Sequence, residues 1–146
     1  MKIKNQYGSS LVEFLIVFPA LILVVFGVIE FSVLFYDYAI IYNASRNGAR
    51  YGVVVRSSSS SSSSSSYATP AEVINYTQTY CTGKLLTFST TAVSATITAT
   101  QSANPPTRGS LLTVTVSYPY SYLLVHKLVG FNQQNTLTTT TVMTYE

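Results

Sequence analysis

The stretch that decides the fold is residues 8–52, GSSLVEFLIVFPALILVVFGVIEFSVLFYDYAIIYNASRNGARYG. It contains no charged residue between Glu13 and Glu30, and residues 11–36 are otherwise apolar or small. About 20 apolar residues are enough for a helix to cross the hydrocarbon core of a membrane. The sequence therefore predicts a transmembrane helix over about residues 11–36.

The same helix should continue well beyond the membrane. At 1.5 Å per residue, a continuous helix over 9–51 measures about 64 Å, against roughly 30 Å of hydrocarbon. Residues 37–52 are therefore predicted to stand outside. A stripe at helical spacing passes from large residues to small ones, and the small ones allow a sheet to approach closely. The stripe comprises Phe31, Leu34, Phe35, Tyr38, Ile41, Tyr42, Ser45, Gly48, Ala49 and Gly52.

Three residues of the apolar run are unsuited to an ordinary membrane anchor. Pro19 has no N–H, so the carbonyl of Leu15 loses its partner and the helix is expected to kink or open there. Glu13 stands at the entrance of the run and Glu30 near its exit, and an ionised carboxylate is costly in hydrocarbon. We expect groups other than lipid to meet these three residues.

The flank before the helix predicts the orientation of the chain. Residues 1–8 are short and polar and include Lys2 and Lys4. The positive-inside rule keeps such a flank in the cytoplasm, while the rest of the chain crosses the membrane. The chain is thus predicted to span the inner, cytoplasmic membrane once, with its C-terminal part outside the cytoplasm.

A run of ten serines, residues 57–66, has nothing to bury. Such a composition is typical of a flexible linker, which we place at 53–69. The following residues, 70–146, are enough for one small domain. Its first element is a predicted helix over 70–80, because Thr69, Pro70 and Glu72 form a helix start with a hydroxyl N-cap, a proline in the first turn and a glutamate three residues after the cap.

After that helix the hydrophobic period changes to two, which is typical of strands with one wet face. Residues 93–100 and 112–118 alternate in this way, and the loop 104–109 between them predicts an antiparallel hairpin. A last strand is predicted over 136–145, and residues 118–131 are interpreted as an aromatic loop or short helix. The fold class is therefore α+β, with a long N-terminal helix, a short helix and a small antiparallel sheet.

The composition argues against several function classes. Charged residues make up only 9% of the chain, and the net charge of +3 forms no basic patch for a nucleic acid. One histidine, His126, one cysteine, one aspartate and four glutamates cannot be assembled by their spacing into a triad or metal site. We expect no enzymatic activity, metal or cofactor. Cys81 is either a half-buried structural thiol or the site of an intermolecular bridge.

Residues Gly8 to Phe14, GSSLVEF, resemble the processing site of type IV prepilins and pseudopilins. The further sequence is similar to the TadE-like pseudopilins of tight-adherence (Flp-type) pilus systems. The likeness rests on Phe18-Pro19, Phe26 to Phe31, Asn43 to Tyr51 and the ending Thr138 to Glu146. It implies a pilin-like fold, cleavage between Gly8 and Ser9 by a prepilin peptidase, and assembly with other pilin subunits at an inner-membrane platform. Glu13, Pro19 and Glu30 are the residues of the long helix that we predict to act in this assembly.

The resemblance implies a minor pseudopilin that enters or initiates a surface filament. One alternative is the abundant structural pilin, and another is a single-pass membrane protein whose outer domain binds a partner without polymerising. Once the leader is removed, the new amino group of Ser9 is the nearest candidate partner for Glu13 of a neighbouring subunit. Arg46 and Arg50 lie either on a solvated face or in a contact with neighbouring carboxylates.

Overall fold

The computed structural model describes residues 7–54, 56–57, 65–89, 93–123, 126–127, 130, 132 and 134–146. It confirms the α+β class and the predicted order of a long helix, a short helix and a three-stranded antiparallel sheet. The elements are α1 (Tyr7–Val53), β1 (Arg56–Ser57), β2 (Ser65–Ser66), α2 (Pro70–Cys81), β3 (Thr96–Gln101), β4 (Leu111–Ser121) and β5 (Gln134–Thr144).

Helix α1 has two halves with different surroundings. Its large apolar side chains between Leu11 and Ile29 are exposed apart from the half-buried Phe26, whereas one face is buried from Glu30 onward. The buried positions recur at steps of three, four or seven, as expected for one side of a helix. They are Glu30, Asp37, Ile41, Ala44, Ser45, Gly48, Ala49 and Gly52.

Four of the large aromatic residues of the predicted stripe do not belong to that buried face, whereas Ile41 does. Phe31, Phe35, Tyr38 and Tyr42 are all exposed, and Phe35 has 66% of its surface open. They follow one another at steps of four, three and four, so they form a second stripe beside the one that packs. The prediction of a single stripe was wrong because it merged two neighbouring faces of the helix.

The small residues at the far end of α1 allow the close approach that the sequence predicted. A Cβ added at Gly48 would overlap the hydroxyl of Thr77 on α2. One added at Gly52 would overlap Leu112 of β4 and lie 2.9 Å from Val73. Gly52 therefore stands where the sheet and α2 both approach the helix, and Gly48 stands where α2 approaches it. A side chain at either position would push the neighbouring element away.

Helix α2 begins where its capping residues predicted. The Thr69 hydroxyl accepts a hydrogen bond from the Glu72 N–H at 3.3 Å, and the Glu72 carboxylate accepts one from the Thr69 N–H at 2.8 Å. Because Thr77 packs at Gly48 and Val73 at Gly52, α2 runs antiparallel to α1. The chain leaving α2 therefore heads back toward the apolar half of α1.

The sheet lies lengthwise along the outer half of α1. Its order is β3-β4-β5, with Ile97 opposite Val116 in one pair and Val116 opposite Thr139 in the other. Alternate residues of β4 from Leu112 to Tyr120 are fully buried against the helices. The core is thus shared by α1, α2 and the sheet.

Strand β4 is longer than predicted. Residues 118–121 were interpreted as part of a loop, but they continue β4, where Pro119 pairs with Thr136 of β5. β3 begins at Thr96, opposite Ser117, so beyond that point β5 is the only described strand that pairs with β4. Proline is tolerated at such an edge. Of residues 122–133 the structure describes only part, including a short helical turn at 126–127.

The ends of the serine run pair with each other. Arg56 lies opposite Ser66, and Ser57 opposite Ser65, in the two-residue antiparallel ladder β1-β2. The rest of the run, residues 58–64, lies outside the described residues. The predicted linker thus leaves α1 and returns beside it, which allows α2 to start close to the end of α1.

Candidate assembly site on the long helix

The predicted processing residues lie in the first turn of α1. Gly8 is exposed, and a Cβ added there would meet nothing within 4 Å. Ser9 follows in the same helix, whereas residues 1–6 lie outside the described part of the chain. The peptide bond between Gly8 and Ser9 is thus not covered by any described part of the domain, and its cleavage stays a prediction.

Glu13 lies one turn farther along α1 and is exposed. Its neighbours in the sequence, Val12 and Phe14, are exposed as well, at 55% and 59%. No described part of the domain covers this end of the helix, so a group that neutralises the carboxylate must come from outside the folded domain. That requirement agrees with the predicted contact to a neighbouring subunit, which itself stays a prediction.

Pro19 does not interrupt the helix. The chain is α-helical without a break from Tyr7 to Val53, so the expected local opening is not present. One turn earlier, the rings of Phe14 and Phe18 lie 5.3 Å apart between centroids. The carbonyl of Leu15 still lacks the N–H that any other residue at position 19 would offer. The assembly role of Pro19 stays a prediction.

Glu30 is an internal contact between α1 and the end of the sheet. It is only 4% exposed, its carboxylate accepts a short hydrogen bond from the Leu123 N–H, and its carbonyl accepts one from the Tyr120 hydroxyl at 3.3 Å. A buried carboxylate requires such donors. Glu30 therefore fixes the last residues of β4 against the helix within one subunit; the predicted role in assembly remains untested.

Asp37 was not singled out from the sequence, although it lies two helical turns after Glu30 on the same face. It is fully buried, and its Oδ1 accepts a hydrogen bond of 2.9 Å from the Leu86 N–H in the segment after α2. Its Oδ2 is buried without a partner among the described residues. Burial raises the pKa of this carboxyl to about 6, and the bond from Leu86 opposes the shift.

Two tyrosines of β4 complete the polar contacts at this end of the domain. The Tyr118 hydroxyl donates to the Leu86 carbonyl at 3.1 Å, and the Tyr120 hydroxyl donates to the Glu30 carbonyl. Burial raises the pKa of both phenols, so both remain neutral donors at ordinary pH. The four side chains of Glu30, Asp37, Tyr118 and Tyr120 therefore hold two loop segments, at Leu86 and Leu123, against α1.

Arg46 and Arg50 point away from this core. Both are exposed, and the Arg46 guanidinium lies 5.6 Å from the centre of the Tyr42 ring. Such a distance allows a weak cation–π contact on an exposed surface. The structure therefore leaves both predicted uses of the arginines open, as a solvated face or as a contact with neighbouring subunits.

The helix that carries these residues is also the part of the chain that comparison with known proteins recognises. Residues 8–50 match the TadE-like protein family. This match confirms the resemblance over the long helix. No curated protein and no solved structure matches the chain.

The TadE-like match supports a pilin-like protein associated with a tight-adherence pilus, with other pilin subunits and a membrane as its surroundings. Pilins of this kind are structural proteins and not enzymes. One helix is long and apolar enough to cross a membrane, and its most apolar window is not buried by the domain. This is consistent with a single-pass membrane anchor.

Other groups that could carry chemistry lie apart from the TadE-like helix. Cys81 is a free thiol that is only 3% exposed and whose pKa is raised by burial, which favours the structural interpretation over an intermolecular bridge. His126 is half-buried in the turn after β4. Within the described ranges, no three side chains of His, Cys, Asp or Glu come together as a metal site.

Proposed function

We propose that this protein is a minor pseudopilin of a tight-adherence pilus. A prepilin peptidase removes residues 1–8, and the mature chain is held in the inner membrane by α1 with its domain outside the cytoplasm. From there it joins other pilin subunits at the inner-membrane assembly platform. Its incorporation into the filament, or into the complex that initiates it, requires Glu13.

The observation that carries the proposal is that the TadE-like match includes the half of α1 that the domain leaves uncovered. The match covers residues 8–50, and the large apolar side chains from Leu11 to Ile29 are exposed apart from the half-buried Phe26. A subunit that packs through this helix needs it free of its own domain. The uncovered apolar half of α1 supports that use.

Two measurements test the proposal. Intact mass of the protein from its native membrane reports cleavage, since the mature chain must start at Ser9. Quantitative mass spectrometry of sheared filaments then reports the role, because a minor pseudopilin is present at a small fraction of the main subunit and its deletion abolishes or reduces piliation. An abundant filament protein would instead be the structural pilin. A chain that is absent from filaments and dispensable for them would be a membrane-anchored binding protein.

A further inference from the structure

The level at which the domain meets α1 limits how much of the helix is left for the membrane. Apolar residues from Leu11 to Ile29 are exposed apart from the half-buried Phe26 and Gly27, and Glu30 is the first fully buried residue in the described part of the helix. Nineteen residues of helix measure about 28 Å, which matches the roughly 30 Å of a hydrocarbon core. The apolar segment below the domain is therefore just long enough to span the membrane, with no helix to spare as a neck.

Polar groups at the end of the sheet prevent a deeper position. The Leu123 backbone N–H and the Glu30 carboxylate meet at this level, and Gln134 and Asn135 at the start of β5 are exposed beside it. Exposed amides and loop backbone are excluded from hydrocarbon, where no water can satisfy them. The hydrocarbon therefore ends near residue 30 and not at 36, the end of the span predicted from composition.

The surface at this level has the composition of a membrane interface. Leu123 is exposed at the end of the sheet, and the exposed aromatic residues Phe31, Phe35 and Tyr36 follow Glu30 on the helix. We call these four residues the interfacial rim. At 1.5 Å per residue they extend about 9 Å beyond Glu30, which is the depth of a headgroup layer, and aromatic side chains are enriched there.

The charges around the rim favour the same environment. Both acidic residues near it, Glu30 and Asp37, are buried, while Lys127 in the turn after Leu123 is exposed. Glu72 and Glu146 lie at the opposite end of the domain, beside the start of α2. The described residues thus present a cation and no exposed carboxylate to the headgroups, which suits an anionic lipid surface.

We propose that the interfacial rim is a lipid-contact surface, by which the domain rests directly on the headgroup layer of the membrane that α1 spans. The proposal rests on the membrane anchoring assigned above. It implies that extraction of the subunit must break two contacts with lipid, one by the helix and one by the domain. It also implies that lipid headgroups cover the interfacial rim of a single subunit before it meets a second subunit.

The test places a fluorescent label at matched positions of the full chain, reconstituted in vesicles of phosphatidylcholine and phosphatidylglycerol. Leu123→Cys probes the rim and Leu111→Cys is its control, because both leucines are 44% exposed. Leu111 is the first residue of β4, whereas Leu123 follows its opposite end by two residues. Val24→Cys reports insertion of the span. A Cys81→Ala background ensures that only the introduced thiol reacts.

The proposal predicts that nitroxide groups at the lipid headgroup quench the label at 123 and that aqueous iodide does so poorly. The label at 111 should be quenched well by aqueous iodide and poorly by the headgroup nitroxides. Equal access of iodide to both positions, with the Val24 label still quenched by acyl-chain nitroxides, overturns the rim and leaves the anchoring intact. An unquenched Val24 label overturns both. Shielding at 123 that disappears when the protein is diluted in lipid would show that a second copy covers the rim, which also overturns the proposal.

Discussion

The Oδ1 atom of Asp37 accepts a hydrogen bond of 2.9 Å from the backbone N–H of Leu86, 49 residues later in the chain. The contact ties the segment that leaves α2 to the first turns of the outer half of α1. The second oxygen of the same carboxylate is buried without a partner among the described residues. The hydrogen bond to Oδ1 therefore stabilises the folded state, whereas the burial of the ionised carboxylate destabilises it.

The pH dependence of the free energy of unfolding should reveal the destabilising effect of the ionised Asp37 carboxylate. Burial raises the pKa of Asp37 from 3.8 to about 6, so between these values the folded chain holds a proton that the unfolded chain has released. The free energy of unfolding contributed by this group therefore falls as pH rises from about 4 to 6, by an amount on the order of 2–3 kcal/mol. The contribution levels off about one pH unit above the folded-state pKa.

Asp37→Asn measures this contribution, because the amide oxygen can still accept the Leu86 bond and the side chain no longer titrates. Thermal unfolding of the detergent-solubilised chain, followed by near-UV circular dichroism of the buried tyrosines, gives the melting temperature at pH 5 and pH 7. The wild type should lose more stability between these two values than Asp37→Asn. Parallel pH profiles for the two proteins would contradict the assignment.

A second prediction concerns the close approach of α1 and α2. Gly48→Ala places a methyl group against the Thr77 hydroxyl, which donates to the Val73 carbonyl at 2.7 Å. The helices must separate or Thr77 must turn, and overpacking of this kind typically costs about 1–3 kcal/mol. The melting temperature of the Gly48→Ala chain should fall.

Gly27→Ala is the matched control, since nothing lies within 4 Å of a Cβ added at that position in the same helix. Alanine is the better helix former by about 1 kcal/mol, so intrinsic propensity favours both substitutions equally. A loss confined to Gly48→Ala isolates the contact with Thr77. An equal response of the two variants would mean that α2 does not approach the helix as closely as described.

Helices α1 and α2 and the hairpin could be predicted from the sequence because each depends on local signals. The long apolar run, the capping residues Thr69 and Glu72, and the alternation around Val116 all specify structure within a few neighbours. Family resemblance added the processing site at Gly8, which no physical pattern in this chain would have indicated.

The burial of α1 could not be predicted in the same way. Phe31 and Phe35 are more apolar than Glu30 and Asp37, so hydrophobicity alone assigns the wrong face to the core. The acids are buried because the Leu123 and Leu86 N–H groups reach them from loops that are distant in sequence. Periodicity contains no information on such donors, although the seven-residue spacing of the acids is a signal that they share a face.

A third prediction tests the internal role of Glu30, which is to hold the end of β4 within one subunit. Glu30→Ala removes the acceptor for the Leu123 N–H and should loosen the end of β4, whereas Glu30→Gln retains an acceptor of similar shape. Hydrogen exchange of the Leu123 amide should accelerate in the alanine variant and stay close to the wild type in the glutamine variant. Unchanged protection in Glu30→Ala would show that this bond does not hold the segment.

The last prediction concerns Glu13, the other glutamate of the apolar helix. After cleavage behind Gly8 it is the fifth residue of the chain, and an ionised carboxylate without a partner in hydrocarbon costs at least about 2.5 kcal/mol on insertion scales. A lone subunit can leave it near the headgroups. We expect packing in a filament to draw it deeper, where the amino group of Ser9 on a neighbouring subunit would neutralise it and set the axial register.

Glu13→Ala should therefore insert, be cleaved to begin at Ser9 and accumulate in the membrane, but fail to enter filaments or their initiating complex. Because Glu13 is exposed and all its helix neighbours from 10 to 25 are exposed as well, the fold and melting temperature should not change. Glu13→Asp is the control that keeps the charge, and it should retain part of the incorporation. If Glu13→Ala is cleaved and incorporated at the wild-type level, the carboxylate has no role in assembly and serves only at the membrane surface.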